Sequence, residues 1–433
     1  MNRESRKPAV LFLSMPILAW AFFDFANTIF SANIVTLFFP QYITEMIGTN
    51  ERLEQISSTV IAYANAGSAI LLILFSPLFG VLMDRTGNRK KYIILFTVLT
   101  VAAAILMGIF GGVNTGTIFG IPNGLFLTIL LFVFAKFTYG SGNVFYDGML
   151  SSLGNRKEIP LISGFGVALG YLGTLVGIFS VLLIIGDNAI HNAFWLSGIL
   201  FLLFALPLFF INKDPVQKVK PKQSFLKGYK DIYYTFKEAR KYPSIFFFMI
   251  AYFFINDALA TAIAMMQPYA TTVVGFEASA FLLVFMVATL FSIVGALVFG
   301  FVNQKYGSKP TFSLIGLILA FAIMIAALPL PMWTFWIAAS LFGIAMGSVW
   351  VVSRTIIIEL SPEGKEGQFF GLFAFSAKMS AVIGPFIYGS ITLVLSDLGT
   401  IASRIAITSL LLMVIIGLYF HSKVNIAAQK VES

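Results

Sequence analysis

Six ionisable side chains lie inside long apolar stretches of this sequence: Asp24, Lys136, Asp147, Asp257, Arg354 and Lys378. A charged side chain at the centre of a bilayer costs roughly 2.5–3.5 kcal/mol on insertion scales, so such residues mark solute or ion pathways or pair with one another. A carboxylate can hold an ammonium group or a proton, and Lys or Arg can hold a carboxylate. These six residues are therefore the first candidates for a binding site inside a membrane.

The first polar stripe is formed by Asp24, Asn27, Thr28 and Ser31, which share one helix face at spacings of i, i+3, i+4 and i+7. Such a face belongs against a cavity or another helix and not against lipid. Two interpretations stay open. The stripe is either a polar seam against helix 5 or 7, or a site for a substrate ammonium group or a proton.

A second stripe on helix 4 is formed by Lys136, Gly140, Asn143 and Asp147 at i, i+4, i+7 and i+11. Lys136 falls near the middle of the membrane, where it can hold an anion or carboxylate or balance the charge of Asp24. Asp147 falls near the cytoplasmic end of the helix. We therefore expect a structural or gating role for Asp147.

Asp147 and Arg354 are 207 residues apart, the separation that also relates two Gly-Ser pairs in the two halves of the chain. Opposite charges at equivalent cytoplasmic positions predict a salt bridge that closes an inner gate. The alternative is that each residue pairs within its own half. Arg354 would then contact Glu359, and Asp147 would contact the loop that carries Arg85 and Arg89.

The remaining buried charges fall in the second half of the chain. Asn256, Asp257 and Thr261 form a polar face on helix 7, and Lys378 lies about ten residues into helix 11. Lys378 either neutralises a substrate carboxylate or pairs with Asp257. We group Asp24, Asn27, Lys136, Asn143, Asp257 and Lys378 as substrate or coupling residues.

A conformational group lies at the cytoplasmic helix ends and consists of Asp84, Arg85 and Arg89, in addition to Asp147 and Arg354. A carboxylate there can interact with the positive end of a helix dipole. We expect Asp84 to hold the inward-closed arrangement in this way.

Composition decides the class of protein. Of the 433 residues, 58% are hydrophobic and 11% are charged, with 47 Phe and a mean hydropathy of +0.91. Soluble domains carry roughly a quarter charged residues. Because a bilayer core about 30 Å thick takes roughly 20 apolar residues per helix, the sequence predicts an all-α polytopic membrane protein.

Twelve transmembrane helices are predicted, at residues 12–43, 58–83, 92–113, 123–148, 161–187, 192–212, 244–270, 278–302, 311–329, 332–358, 368–396 and 400–421. With the N-terminus inside, 23 of the 28 Lys and Arg residues fall on the cytoplasmic side and only Arg52 and Arg404 outside. This bias predicts that both termini are cytoplasmic, and we expect a plasma-membrane location. The net charge of +9 therefore reflects topology, and no nucleic-acid partner is expected.

The chain divides into residues 1–212, a cytoplasmic linker at 213–243, and residues 244–433. The linker carries Phe225, Tyr229, Ile232 and Phe236 at helical spacing, opposite several lysines, which predicts an amphipathic helix at the membrane surface. Two interpretations of this pattern stay open: a short surface helix in a solvated linker, or a helix that binds acidic lipid as a regulatory device.

The two halves repeat. Gly80 and Gly87 in the loop after helix 2 match Gly300 and Gly307 after helix 8 at a constant offset of 220 residues. The first glycine of each pair permits close helix approach, and the second suits a turn with unusual backbone angles. Two six-helix halves in a pseudo-twofold relation describe the major facilitator architecture, with a substrate site between them.

One stretch on helix 1, FFDFANTIFSANIVTLFFPQY (Phe22 to Tyr42), resembles the W-x-x-Y-D-F-A-N-S-x-F opening of the vacuole-effluxer-like family, the autophagy-type branch of that superfamily. Four further stretches agree: SPLFGVLMDRTGNRKK, ISGFGVALGYLG, FFINDALAT and SRTIIIELSPEGKEGQFFGLFAFSAKMSAVIGP. Phe23, Trp350 and Gln368 depart from the usual family residues, and the change at Trp350 would alter a cavity wall. The resemblance implies secondary transport, and fungal members export neutral amino acids.

Enzyme chemistry finds little support. His191 and His421 are the two histidines, cysteine is absent, and no Walker-type loop occurs, so no catalytic residues, metal site or cofactor are expected. The glycines of helix 5 (Gly166, Gly170, Gly173 and Gly177) are interpreted as a helix-packing groove.

We therefore expect a monomeric transporter in a lipid bilayer that moves a small-molecule substrate, with a neutral amino acid or similar zwitterion as the first candidate. Protons are a candidate coupling ion, because burial disfavours the charged form of a carboxylate. The alternative is a non-transporting membrane sensor or a lipid-handling protein.

Overall fold

The computed structural model describes residues 6–47, 51–113, 115–118, 121–185, 190–214, 242–362 and 364–426, without the side chains of 51–59, 278, 279, 282, 381, 382 and 396. The predicted amphipathic helix of the linker falls in residues 215–241 and lies outside the described residues.

Within these described residues, twelve helices are long and apolar enough to cross a membrane, as predicted. We number them spans 1 to 12: Met15–Ile47, Val60–Thr86, Arg89–Gly111, Asn123–Ser152, Ile159–Ile185, Asn192–Ile211, Pro243–Val274, Leu283–Tyr306, Ser308–Ala327, Trp333–Leu360, Glu366–Val394 and Thr400–Ser422. Spans 2 and 8 belong to the longer helices Glu51–Thr86 and Ala278–Tyr306. The smaller elements are a helix at Pro8–Phe12, antiparallel strands β1 (Thr117–Ile118) and β2 (Ile121–Pro122), and a 3₁₀ turn at Ser396–Leu398.

Span 1 changes its helical type along its length, which the sequence did not reveal. It is α-helical over Met15–Phe30, π-helical over Ser31–Phe38 and α-helical again over Phe39–Ile47. The wider π turns begin where the polar stripe that starts at Asp24 ends. Span 7 has a similar segment at Ala270–Val274. Because π segments occur often at functional sites, the one in span 1 directs attention to the stripe beside it.

Contacts among helix ends and a loop identify one end of the bundle. Lys309, in the first turn of span 9, donates a hydrogen bond to the carbonyl of Ser422 at the end of span 12 (3.1 Å). Arg6 donates to Glu158, between spans 4 and 5 (2.9 Å), and this hydrogen bond lowers the pKa of Glu158 to about 2. We call this end, which holds the loops after spans 2, 4, 8 and 10, the basic face. The other end is the opposite face.

The first six and last six spans meet close to the basic face along two seams. In the seam between spans 2 and 11, a Cβ on Gly371 would lie 2.8 Å from the carbonyl oxygen of Ser76. In the seam between spans 5 and 8, a Cβ on Gly164 would lie 2.7 Å from the carbonyl oxygen of Ala296. Glycine therefore lets the two halves touch backbone to backbone.

The repeated glycines behave as predicted. Gly80 packs on the first turn of span 11, and Gly300 packs on the first turn of span 5, so each contributes to one of the two seams. Gly87 and Gly307 have φ angles of +67° and +87°, which side chains with a Cβ rarely adopt. The repeat therefore reflects two equivalent contacts between the halves.

The four glycines of span 5 form the predicted groove, and span 1 fills it. Trp20, Phe25, Thr28 and Ile29 of span 1 lie where the missing side chains would be. Thr28 also donates a hydrogen bond to the carbonyl oxygen of Gly170. The groove fixes the rotation of span 1 and so aims its polar stripe.

Gly173→Ala is expected to destabilise the protein by about 1–3 kcal/mol, because the new methyl group overlaps the carbonyl oxygen of Phe25. Gly389→Ala is the matched control, since no described heavy atom lies within 4 Å of that position. Both changes improve helix propensity equally. Thermal unfolding in detergent should show a lower melting temperature for Gly173→Ala alone. Equal melting temperatures would contradict the packing role of the groove.

Candidate functional site

A cavity of about 410 Å³ lies between the two halves. This volume falls in the range of roughly 300–1,000 Å³ usual for small-molecule sites. Spans 1, 4 and 5 line it from the first half, and spans 10 and 11 line it from the second. Its charged and amide lining residues are Asp24, Asn27, Lys136, Asn143, Asp147, Arg354 and Lys378.

Both predicted polar stripes face this cavity. All four residues of the stripe from Asp24 to Ser31 line it, and so do all four of the stripe from Lys136 to Asp147. The alternative interpretation, in which the stripe on span 1 is a polar seam against another helix, holds only in part. Thr28 donates a hydrogen bond to span 5 and also lines the cavity. Helical spacing was therefore sufficient to identify the two cavity-facing surfaces.

Arg354 joins the two halves at the basic-face side of the cavity. Its Nη2 lies 2.9 Å from Oδ1 of Asp147, and its Nη1 donates a hydrogen bond to Oδ2 of Asp24 at 3.2 Å. The side chains of Arg354 and Asp24 are each 10% exposed. We call Asp24, Asp147 and Arg354 the ion-pair node. Two carboxylates and one guanidinium give it one excess negative charge.

An aromatic platform supports the node. The rings of Trp20 and Tyr146 stack with centroids 4.7 Å apart, and the two residues exchange side chain-to-backbone hydrogen bonds. The Arg354 guanidinium lies 5.9 Å from the Trp20 ring and 5.7 Å from the Tyr146 ring. Cation–π attraction at such distances adds to the ion pairs. Spans 1 and 4 thus hold Arg354 of span 10 through both charge and ring contacts.

The predicted pair of Asp147 and Arg354 across the halves is present, so the alternative in which Arg354 stays within its own half does not describe this structure. The prediction omitted the second partner, Asp24. Lys136 does not fill the role of charge-balancing partner for Asp24. Its Nζ instead donates to Oδ1 of Asn65 on span 2.

Asp257 does not belong to the cavity lining, contrary to its grouping with the substrate residues. It is fully buried, and its Oδ1 accepts a hydrogen bond from the backbone N–H of Gly384 in span 11 (2.8 Å). Lys378 lines the cavity and makes no ion pair with Asp257 among the described residues. The likeness of Asp257 to Asp24 was misleading because span 11 packs directly over Asp257.

Two amide oxygens in the cavity wall have no hydrogen-bond partner within the described part of the chain. They are Oδ1 of Asn27 and Oδ1 of Asn143, one on each stripe. A buried acceptor without a partner costs free energy that a bound donor would recover. These oxygens can therefore receive N–H or O–H groups of a solute.

Asp84 caps the start of span 11, as predicted for a dipole contact. Its Oδ1 accepts from the N–H of Gly367 (2.8 Å), and its Oδ2 accepts from the N–H of Gln368 (2.7 Å). A carboxylate on the first turn of a helix is favoured by the helix dipole. Arg85 lies in the last turn of span 2 beside it, and Arg89, which is buried, donates to Ser151 on the first half (3.1 Å).

Asp84→Asn is expected to raise the exposure of the seam at the basic face about fivefold, because it removes a charge–dipole contact worth roughly 1 kcal/mol. The natural chain has no cysteine, so Ala296→Cys, at a buried position on span 8, introduces a single thiol whose reactivity reports the exposure of the seam. The measurement is the maleimide labelling rate of that cysteine. Asp397→Asn, on the opposite face, is the control and should leave the rate unchanged. Equal rates in the two variants would rule out this role for Asp84.

Several cavity residues escaped the sequence analysis. They are uncharged residues on otherwise apolar faces: Val35, Tyr139, Val144, Val167, Tyr171, Thr174, Phe373, Ala374 and Ala377. No periodic signal marks them. Trp350 was recognised as a departure from the family pattern in a cavity wall, and the structure places it in the lining.

Comparison with known proteins agrees with the fold. The sequence model of the family described as "Vacuole effluxer Atg22 like" matches residues 47–433. An uncharacterised MFS-type transporter of Bacillus subtilis, YxiO, is 24% identical over 92% of this chain and 92% of its own length. Autophagy-related protein 22 of Eremothecium gossypii is 25% identical over 87% of this chain and 85% of its own.

Solved structures with similar folds belong to the major facilitator superfamily. FucP in its outward conformation aligns over 96% of this chain and 99% of its own, with a TM-score of 0.72 and 14% identity. The human organic anion transporter MFSD10 aligns over 96% and 100%, with a TM-score of 0.73 and 12% identity. At these identities the likeness concerns the fold. Together with the family match over most of the chain, it establishes that this multi-pass membrane protein is a major facilitator transporter of the Atg22-like vacuole effluxer family.

Proposed function

We propose that the protein is a secondary transporter that moves a small solute by alternating access, with residues 1–212 and 244–433 as the two moving halves. The observation that carries the proposal is the ion-pair node, in which Arg354 of one half holds Asp24 and Asp147 of the other at one end of a solute-sized cavity. Three groups of contacts close that end: the node, the cap by Asp84 and the two glycine seams. Breaking them would open the cavity to the basic face.

For the solute we propose a small carboxylate-bearing molecule, with neutral amino acids as the first class to test. Lys136 and Lys378 can hold a carboxylate, while the free amide oxygens of Asn27 and Asn143 can accept from an ammonium group. Tyr171 and Phe373 supply surface for an apolar side chain. A zwitterion can thus satisfy groups on both stripes.

Proton coupling is proposed to act through the ion-pair node. Because the node has one carboxylate more than it has cations, a proton can bind to one carboxylate while the other keeps its ion pair with Arg354. Loss of one charge weakens the link between the halves. Protonation would in this way favour opening toward the basic face.

We further propose that the basic face is cytoplasmic and that the protein acts as a monomer in the plasma membrane. The excess of Lys and Arg in the loops of that face supports the orientation. Labelling of single-cysteine variants at Arg156 and Gln41 in intact cells would test it. Protection of position 156 and labelling of position 41 is the expected result.

The function is tested by uptake of labelled amino acids into proteoliposomes, with and without an imposed proton gradient. Gradient-stimulated uptake of at least one neutral amino acid is expected. Protein-free liposomes and the Arg354→Gln protein serve as controls. If no solute enters while labelled phospholipid crosses the bilayer, the lipid-handling alternative replaces this proposal.

A further inference from the structure

Lys136 and Lys378 face one cavity from opposite halves of the protein, and neither has a carboxylate partner. Within the described residues, Lys378 makes no hydrogen bond or ion pair, and the polar partner of Lys136 is the neutral amide oxygen of Asn65. The cavity contains two carboxylates, Asp24 and Asp147, and both are held by Arg354. Asp147 attracts Lys378 only from beyond ion-pair distance, so among the described residues neither ammonium group has a direct counter-charge.

The charge balance of the cavity favours a negative solute. Three cations and two carboxylates leave one uncompensated positive charge, and desolvated cations require a partner. A carboxylate placed between the two lysines would supply it through charge-assisted hydrogen bonds, which are stronger than neutral ones. An ammonium group, in contrast, would find both cavity carboxylates already held by Arg354, which leaves it the uncharged oxygens of Asn27 and Asn143.

We infer that Lys136 and Lys378 form an anion-binding subsite and that the protein prefers organic monoanions over neutral zwitterions of the same shape. The inference rests on the proposed transport function and narrows its substrate class. A carboxylate held by the two lysines neutralises the uncompensated positive charge of the cavity by itself. The amino group of an amino acid is then dispensable.

The subsite also links the two halves at a second level of the membrane. Lys136 lies eleven residues from Asp147 along span 4, which is roughly 16 Å toward the opposite face. An anion bound there contacts span 4 and span 11 together. Anion binding therefore draws the halves together on the side of the cavity away from Arg354.

The test is the affinity of the purified full chain for matched sets of ligands, measured by thermal shift. One set is 4-methylpentanoate, leucine and leucinol, which carry the carboxylate alone, both charges, and the ammonium alone. The smaller set is propionate, alanine and alaninol. In at least one set, the carboxylate should bind about tenfold more tightly than the amino acid, and the amino alcohol should not stabilise the protein.

Lys136→Gln and Lys378→Gln should each weaken carboxylate binding by tenfold or more. Lys91→Gln, at an exposed position outside the cavity, should leave it unchanged. Tighter binding of the amino acids, binding of the amino alcohols, or no stabilisation by any carboxylate would each overturn the inference. If the uptake assay shows transport, the proposed function would stand whichever of these results is obtained. Carboxylate binding without uptake of any solute would instead reject transport and keep the subsite.

Discussion

Arg354→Gln is expected to abolish gradient-driven uptake and to destabilise the protein by about 3–5 kcal/mol. The reason is that Asp24 and Asp147 would be left as neighbouring buried carboxylates without their shared cation, and breaking a buried ion pair from one side costs about this much. Uptake in proteoliposomes and thermal unfolding in detergent measure the two effects.

Two further variants separate a folding defect from a mechanistic one. Adding Asp24→Asn and Asp147→Asn to the Arg354→Gln protein removes the uncompensated charges, so stability should return while transport stays lost. Arg354→Lys keeps the charge but lacks the planar fork that reaches two carboxylates, and it should transport poorly. Wild-type uptake by Arg354→Gln would contradict the role of the node.

Asp24→Asn is expected to remove stimulation by a proton gradient while preserving exchange of solute across the membrane. Asp24 belongs to the cavity-lining stripe of span 1 and accepts a hydrogen bond from Arg354, so we assign the coupling proton to it. In the variant, Arg354 still has Asp147 as its partner. Exchange can therefore continue without a proton.

The measurement compares net uptake under a gradient with counterflow of preloaded solute. Asp147→Asn is the matched variant, since it removes the other carboxylate of the same node. It should retain gradient dependence and lose tight closure at the basic face. Loss of gradient dependence in Asp147→Asn alone would show that the coupling proton binds to Asp147 and not to Asp24. Unchanged transport by both variants would show that the node has only a structural role.

Much of the cavity could be predicted because helix geometry is local. The spacing of residues from Asp24 to Ser31 and from Lys136 to Asp147 fixes which side chains share a face, and lipid excludes such faces. The repeat offset of 207 residues was enough to pair Asp147 with Arg354, since equivalent helices of the two halves approach each other at the same depth.

Other features depend on how the helices cross, and one sequence does not contain that information. Asp24 reaches Arg354 because the glycine groove of span 5 rotates span 1 toward span 10. Asp257 resembles Asp24 in its own sequence context but is covered by Gly384. The π-helical turns after Phe30 could not be predicted either, since they change the spacing on which such predictions rely.

The most direct test of alternating access is a pair of distances between spin labels, measured by double electron–electron resonance. One pair, Arg156→Cys with Lys305→Cys, spans the halves at the basic face. The other pair, Gln41→Cys with Thr272→Cys, spans them at the opposite face. All four positions are exposed. Each pair is measured in the natural background and with Arg354→Gln or Asp84→Asn. We predict a short distance at the basic face in the natural background, and in either variant a longer basic-face distance together with a shorter opposite-face distance. Unchanged distances at both faces, or lengthening at both, would contradict the account.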